Sequence, residues 1–229
     1  CENLDWTNKV VTSNADKIGF TYQWFKDGVA LSGANQPTLY VANTVLSNKG
    51  LYSVKLSSAC GDAMSQTALL QVRPTPKIDI ALVGTPPMQC IDNNTFTFKP
   101  NIFISDNSLV DLTWDFGNGV TSKQSQVSHS YDFANDFNVY LFAKSIYGCK
   151  DTAYVLISTF PQPFVFAGAN VYALIGEPIN LDATSSGQGA FLWSPSDEFT
   201  CATCQNTSVT TSQNSTYTVN FTDLNGCKA

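Results

Sequence analysis

Seven cysteines, one histidine and a single Asp-Phe-Gly tripeptide are the residues of this 229-residue chain whose types could do chemistry. Cysteine thiolates ligate zinc, act as nucleophiles or pair as disulfides, a histidine serves as base or ligand, and carboxylates hold hard cations. His129 is the only histidine, so most His-containing zinc sites are excluded and a Ser-His-Asp triad depends on that one residue. Cys201 and Cys204, in "TCATC", are close enough in sequence to bridge locally. A thioredoxin-like centre would need a βαβ context, which is absent, and a zinc site would need a second cysteine pair. Disulfides formed in an oxidising compartment are the reading that remains.

Asp-Phe-Gly lies in "TWDFGNG", at positions 113 to 119. As a kinase magnesium site it would need an upstream glycine-rich loop, a pairing lysine and a His-Arg-Asp loop, and the chain has none of these. The stretch reads instead as a bend between strands. Gly117, Asn118 and Gly119 are expected to supply left-handed backbone angles, Trp114 and Phe116 share one strand face, and Asp115 faces the other way. Asp106, Asp111, Asp115, Asp132 and Asp136 leave calcium as a residual alternative, although no Asp-x-Asp-x-Asp-Gly loop is present. No catalytic, cofactor-binding or metal-binding residue is assigned.

The elements around these residues repeat. Trp24, Trp114 and Trp193 each sit in an alternating apolar run: "FTYQWFKDG", "LVDLTWDFGNG" and "GAFLWSP". Downstream of each comes an aromatic-x-Val-x-apolar strand: Tyr52, Val54 and Leu56; Phe137, Val139 and Leu141; Tyr217, Val219 and Phe221. A cysteine then follows each tryptophan at nearly the same interval, Cys60, Cys149 and Cys227, the interval shortening by a single position from one module to the next. Such spacing marks a tandem array of related β modules. Cys1 precedes Trp24, and Cys90 precedes Trp114, at intervals that also differ by a single position, so the offsets pair Cys1 with Cys60 and Cys90 with Cys149. Each loop of roughly 60 residues would contribute on the order of 4 kcal/mol by chain entropy. The third module has Ala169 and Asn170 at that offset, which leaves Cys227 without a partner of the same kind.

Only 13% of residues are charged and the net charge is -6, with no cluster of Lys and Arg, which argues against a nucleic-acid surface. No apolar run is long enough to span a bilayer. "VRPTPK" and "TFPQPF" each hold Pro-x-Pro between strand-like runs and read as semi-rigid connections, placing modules at 1–73, 74–160 and 161–229. Both ends read as interrupted, with a first strand missing before Cys1 and a last one after Cys227. The expected fold is all-β, three tandem β-sandwiches in a rod.

The middle module, "WDFGNG" followed by "SHSYDFANDFNVYLFAKSIYGCKDT", resembles a PKD domain, an immunoglobulin-like sandwich with a Trp-x-Phe-Gly-[Asp/Asn]-Gly turn and a His-x-Tyr strand start. Asn118 stands where that family more often has Asp. The resemblance accounts for His129 as a packed strand residue. The first module resembles Ig-like repeats of bacterial surface proteins. The third, with its Trp-Ser-Pro, Cys-x-x-Cys, Thr-Tyr-Thr-Val and Asn-Gly-Cys, is similar to a repeat of large Bacteroidetes surface adhesins and gliding-motility-associated proteins exported by the type IX system. The resemblance implies a protein at the outer surface of a Gram-negative bacterium. It also implies an O-glycan acceptor at Thr152, in Asp-Thr-Ala.

The sequence thus predicts a non-enzymatic stalk or adhesion segment. Its partners are the neighbouring repeats and glycans or surface proteins, with no nucleic acid, no membrane span and no cofactor. The alternative is an accessory spacer of a secreted polysaccharide- or protein-degrading enzyme. Tyr22 with Phe25, and Phe164 with Phe166 beside the second linker, are read as inter-domain packing with a contact patch as the alternative, and the loops Asn43 to Lys49 and Gly187 to Gly189 as free to touch glycans or other proteins. The sequons at Asn93, Asn206, Asn214 and Asn220 are read as bare.

Overall fold

The computed structural model describes residues 1–9 and 19–229. The chain is all-β: the described residues form twenty-one strands and two single-turn 3-10 helices, Leu46–Asn48 and Ser196–Glu198. They divide into two compact units, one of Cys1–Asp79, Asn101–Thr113 and Leu141–Ala153, the other of Ile80–Pro100, Trp114–Tyr140 and Tyr154–Ala229.

In the first unit the strand Thr21–Lys26 pairs antiparallel with Gly50–Ser58, setting Trp24 opposite Val54. Asp27 and Gly28 take positive φ, 51° and 80°, and turn the chain into Val29–Ala30 with a two-residue hairpin. Gly61–Met64 and Ala68–Leu70 both pair with Gly50–Ser58. They are parted where the Val54 amide donates to Ser65 Oγ at 3.0 Å and the Ser65 amide donates to the Val54 carbonyl at 2.9 Å. A second sheet pairs Trp6–Lys9 with Thr38–Val41. Period-two alternation sends Trp24, Tyr52, Val54 and Leu70 of the first sheet and Leu39 of the second into one core, with Trp6 packed on Tyr52 at 4.9 Å between ring centroids.

In the second unit Gly189–Ser194 pairs antiparallel with Thr218–Asp223, and Trp193 faces Val219. Pro178–Asp182 pairs with Asn206–Thr210 and Val165–Phe166 with Thr184–Ser185. Ala183, Phe191, Trp193 and Phe221 are buried together, with Val165, Leu181 and Tyr217 packed on them. Gly189 is expected in a loop but begins the Trp193 strand instead. A Cβ there would collide with the Thr222 carbonyl and the Phe221 ring, so close pairing of the two strands requires glycine.

The remaining strands form two sheets. One orders Val127–His129, Phe96–Phe103 and Lys77–Leu82. The other orders Thr121–Ser122, Val110–Asp115, Asp136–Ser145, Lys150–Phe160 and Met88–Cys90. Asp136–Ser145 alternates exposed and buried along its whole length, so Phe137, Val139 and Leu141 point inward as the period-two pattern requires. Phe98 lies 5.9 Å from both Trp114 and Phe116, and Tyr131 stacks on Phe137 at 3.8 Å. Such aromatic clustering lets a small sandwich bury much apolar area with few residues.

Candidate functional site: disulfides and tryptophan turns

Cys201 and Cys204 form the expected local disulfide. The two long-range pairs differ from those that the spacing predicts: Cys1 bonds Cys149 and Cys90 bonds Cys227, while Cys60 is an exposed free thiol. The reason is strand direction. Met88–Cys90 runs parallel to Lys150–Phe160, with Cys90 opposite Phe160, whereas Cys149 immediately precedes that strand. A strand of that length, at ~3.3 Å per residue, spans roughly 36 Å, and a disulfide needs Cα atoms within about 7 Å. Cys90 and Cys149 therefore stand at opposite ends of one strand.

Cys1 obeys the same rule. The amide of the next residue, Glu2, donates to the Arg73 carbonyl at 2.9 Å, and the amide following Cys90, that of Ile91, donates to the Phe160 carbonyl at 2.8 Å. Arg73 and Phe160 each precede a Pro-x-Pro, so each of these cysteines sits beside a proline connection; for Cys1 this is the Gly50 end of Gly50–Ser58, where Leu70 pairs, whereas the hairpin turn that carries Cys60 is at the Ser58 end. Around Cys149 the contacts are dense: its Sγ is 4.0 Å from the Arg73 carbonyl, and the Arg73 guanidinium lies 3.9 Å over the Tyr147 ring.

The three tryptophans share a geometry that no sequence pattern marks. Each pairs its backbone with a downstream residue and donates its indole Nε1–H to the carbonyl two positions further on. The Trp24 amide donates to the Ala34 carbonyl (2.9 Å) and its indole to that of Gln36 (2.8 Å). The Trp193 amide donates to Ala202 (2.8 Å) and its indole to Cys204 (3.0 Å). Trp114 is the register partner of Ser122 and its indole donates to Gln124 (2.9 Å). All three rings are 2% exposed or less, so each indole N–H needs this partner.

The 113–119 stretch is a turn. The Gly117 amide donates to Asp115 Oδ1 at 2.9 Å, the Val120 amide to Asn118 Oδ1 at 3.2 Å, and the Phe116 amide to the Val120 carbonyl at 3.0 Å. Gly117 and Gly119 have φ of 76° and 88°, but Asn118 is absent from the positive-φ residues, contrary to expectation; its side chain, rather than its backbone, serves the turn. Asn118 Nδ2 lies 3.0 Å from His129 Nε2, and His129 stacks on Phe116 at 4.2 Å with its edge to Tyr131. With Asn118 donating, Nε2 accepts and the imidazole is neutral. Burial lowers the His129 pKa, opposed by the Asp132 charge. The Tyr131 hydroxyl donates to the Phe116 carbonyl at 2.8 Å, and burial raises its pKa far above the ordinary phenol value.

Three of the five aspartates considered for calcium are engaged in local hydrogen bonds. Asp106 accepts from the Ser108 amide, Asp115 from Gly117 and Asp136 from the Ser158 hydroxyl. Among the described residues no three His, Cys, Asp or Glu side chains gather as a metal site. Thr152 is exposed on Lys150–Phe160, and the Asp151 carboxylate beside it accepts from the Ile78 amide at 3.0 Å. Tyr22 packs against the first core and Phe25 is half-buried, whereas Phe164 and Phe166 are exposed. Asn43 has a positive φ and opens a loop whose Ser47 carbonyl accepts from Lys26 Nζ at 2.6 Å. No helix among the described residues is long and apolar enough to cross a membrane.

No protein-family model and no curated protein matches the sequence. Among solved structures, the chain is similar to three N-terminal domains of the bacteriophage RB49 highly immunogenic outer capsid protein, with 14% identity, TM-score 0.43, and 100% of this chain and 92% of that one covered. The first PKD domain of Vibrio anguillarum Epp is similar over 38% of this chain and 96% of its own, with 24% identity and TM-score 0.33. The first four immunoglobulin domains of Sidekick-1 are similar over 100% of this chain and 70% of theirs, with 10% identity and TM-score 0.38.

Proposed function

We propose that this chain is a non-enzymatic extracellular segment of a large bacterial surface protein, three sandwiches at 1–73, 74–160 and 161–229 that space and present binding surfaces while resisting extension. The observation that carries the reading is covalent topology. Cys1–Cys149 and Cys90–Cys227 interleave, so the shortest bonded path from Cys1 to Cys227 runs only through the segment between Cys90 and Cys149. At ~3.6 Å per residue that path reaches about 210 Å, against about 810 Å for the open chain between the same two ends. Even with every sheet pulled apart, the segment would lengthen to only about a quarter of its contour.

Persistent disulfides belong to oxidising compartments, which supports export. The motif resemblance of the third module supports a type IX cargo of a Gram-negative cell surface. Phe164 and Phe166, with the loop from Asn43, offer exposed groups to glycans or to other surface proteins.

Force extension of exported material tethered at its ends tests the proposal. Extension is expected to stop at about 210 Å, and to continue to about 810 Å once reductant is added. Full extension without reductant would refute it.

A further inference from the structure

We infer that the third sandwich carries a docking slot for one further strand, bounded by residues 171–175 and the free edge of Thr218–Asp223, and that its occupant is the polypeptide leaving Ala229. The middle module shows such a slot filled. There Met88–Cys90 pairs parallel with the end of Lys150–Phe160, setting Ser158 opposite Met88 and Phe160 opposite Cys90, and the Ile91 amide donates to the Phe160 carbonyl at 2.8 Å. On its other side Lys150–Phe160 neighbours Asp136–Ser145. One strand is held between two.

Both walls of that slot recur in the third module. In the middle module Asn93, with φ of 57°, turns the chain into Phe96–Phe103; in the third Gly176, with φ of 81°, turns it into Pro178–Asp182. Asn93 precedes Phe96 at the interval at which Gly176 precedes Ile179, and, counted from these turns, residues 171–173 take the place of Met88–Cys90 and Leu174 that of Ile91. Ile91 is half-buried. Leu174 is 80% exposed, with Tyr172 at 94% and Ile175 at 81%, and among the described residues 171–175 pair with no strand. Val171, Tyr172, Leu174 and Ile175 together are an apolar sheet edge that lacks its neighbour.

The second wall is Thr218–Asp223. Trp193, opposite Val219, donates its amide to Ala202, away from this strand, so the Val219 N–H and C=O also point away from Gly189–Ser194. Phe221, on the same side as Val219, shows what lies there: it and Ala229 exchange both backbone hydrogen bonds at 2.9 Å. The turn leading to Ala229 matches that of the middle module. Gly148 and Gly226 both have φ of 83°, and their amides donate to the Ser145 carbonyl at 2.8 Å and the Asp223 carbonyl at 3.1 Å. The carbonyls of Cys149 and Cys227 accept from the Ser145 and Asp223 amides at 2.8 and 2.9 Å. Past this turn the middle module enters Lys150–Phe160, and in the third Lys228 bridges antiparallel to Thr222. Polypeptide continuing from Ala229 in that direction passes Val219. At the interval after Cys227 that Ser158 and Phe160 hold after Cys149, it lies parallel to 171–173, where the Tyr172 and Leu174 amides donate to it. Main-chain hydrogen bonds to both walls then hold the strand.

The test compares natively exported protein with the 1–229 chain by hydrogen exchange at the Tyr172, Leu174 and Val219 amides. In the 1–229 chain these are expected to exchange freely, and in the exported protein to be slowed about 100-fold at every protein concentration. Leu174→Asp alters a side chain that is exposed in the 1–229 chain, so the melting temperature of that chain is expected to stay unchanged while the exported protein loses the protection of Tyr172 and Leu174. Equal exchange in the two proteins would overturn the inference, as would an exported polypeptide with no residue beyond Ala229. Protection that appears in the 1–229 chain as its concentration rises would assign the slot to a second copy and overturn it as well.

Discussion

The loops that receive the Trp24 and Trp193 indoles do the same job by different means. After Trp24 the chain turns at Asp27 and Gly28, with positive φ again at Gly33, and is tied down by Leu31 donating to the Trp24 carbonyl and Gln23 Nε2 to the Leu31 carbonyl. After Trp193 the receiving carbonyl belongs to Cys204 itself, held by the bond to Cys201. The first loop is shaped by backbone conformation and hydrogen bonds, the other by a covalent clip. The common requirement is a carbonyl held in place for a buried indole; the sequence around it is free to vary.

The clip should therefore matter most where it is present. Replacing Cys201 and Cys204 together by Ser removes a closure that chain entropy sets at about 2 kcal/mol. Exchange of the Trp193 indole N–H is expected to speed about 30-fold, read by indole resonances in hydrogen exchange, with Trp24 unchanged. Equal acceleration of both indoles would show that the clip acts on the whole chain rather than on its own loop.

The converse change acts on the first loop. Gly28 has φ of 80° and a Cβ there would meet nothing within 4 Å, so Gly28→Ala isolates backbone strain from steric collision. About 1–2 kcal/mol is expected, which would loosen the Trp24 indole about 5–30-fold and leave Trp193 as it was. The contrast with Gly117 sharpens the point: there a Cβ would lie 2.8 Å from the Asn138 carbonyl as well as at positive φ, so substitution meets collision in addition to strain.

What the sequence disclosed follows the same division. The tryptophan strands and their aromatic-x-Val partners were legible because a strand's inward face repeats every second residue, and Trp24 opposite Val54 and Trp193 opposite Val219 are the result. The Cys201–Cys204 bridge was legible because so short a separation leaves little choice. The long-range disulfides were not. Equal offsets fix where Cys1, Cys60, Cys90 and Cys149 stand in their repeats, but the parallel pairing of Cys90 with Phe160 decides which end of the strand each occupies, and that direction is written in hydrogen bonds between distant segments. The indole acceptors were hidden for another reason: Gln36, Gln124 and Cys204 contribute a main-chain carbonyl, which any residue can provide. Asn118 shows a subtler miss. Its place between two glycines suggested left-handed backbone, while its function lies in the amide side chain that holds Val120 and His129.

The middle module carries a neutral imidazole stacked on Phe116 beside its tryptophan turn, and with it the smallest expected effect. In the unfolded chain His129 takes up a proton near pH 6.5; in the folded chain burial holds that uptake to lower pH, with Asp132 pulling weakly the other way. Between the two values the unfolded state binds more protons, so this group's contribution is complete above about pH 6.5 and is lost as pH falls through the folded value. Acidification from pH 7.5 to 5.5 should therefore lower the urea midpoint and speed exchange of the Trp114 indole, with Trp24 and Trp193 little affected. His129→Gln, which keeps an acceptor for Asn118, should flatten that dependence, and Asp132→Asn should steepen it by removing the charge that favours the imidazolium. A pH response that persists unchanged in His129→Gln would assign the sensitivity to other groups and leave the stacked ring on Phe116 as a packing element alone.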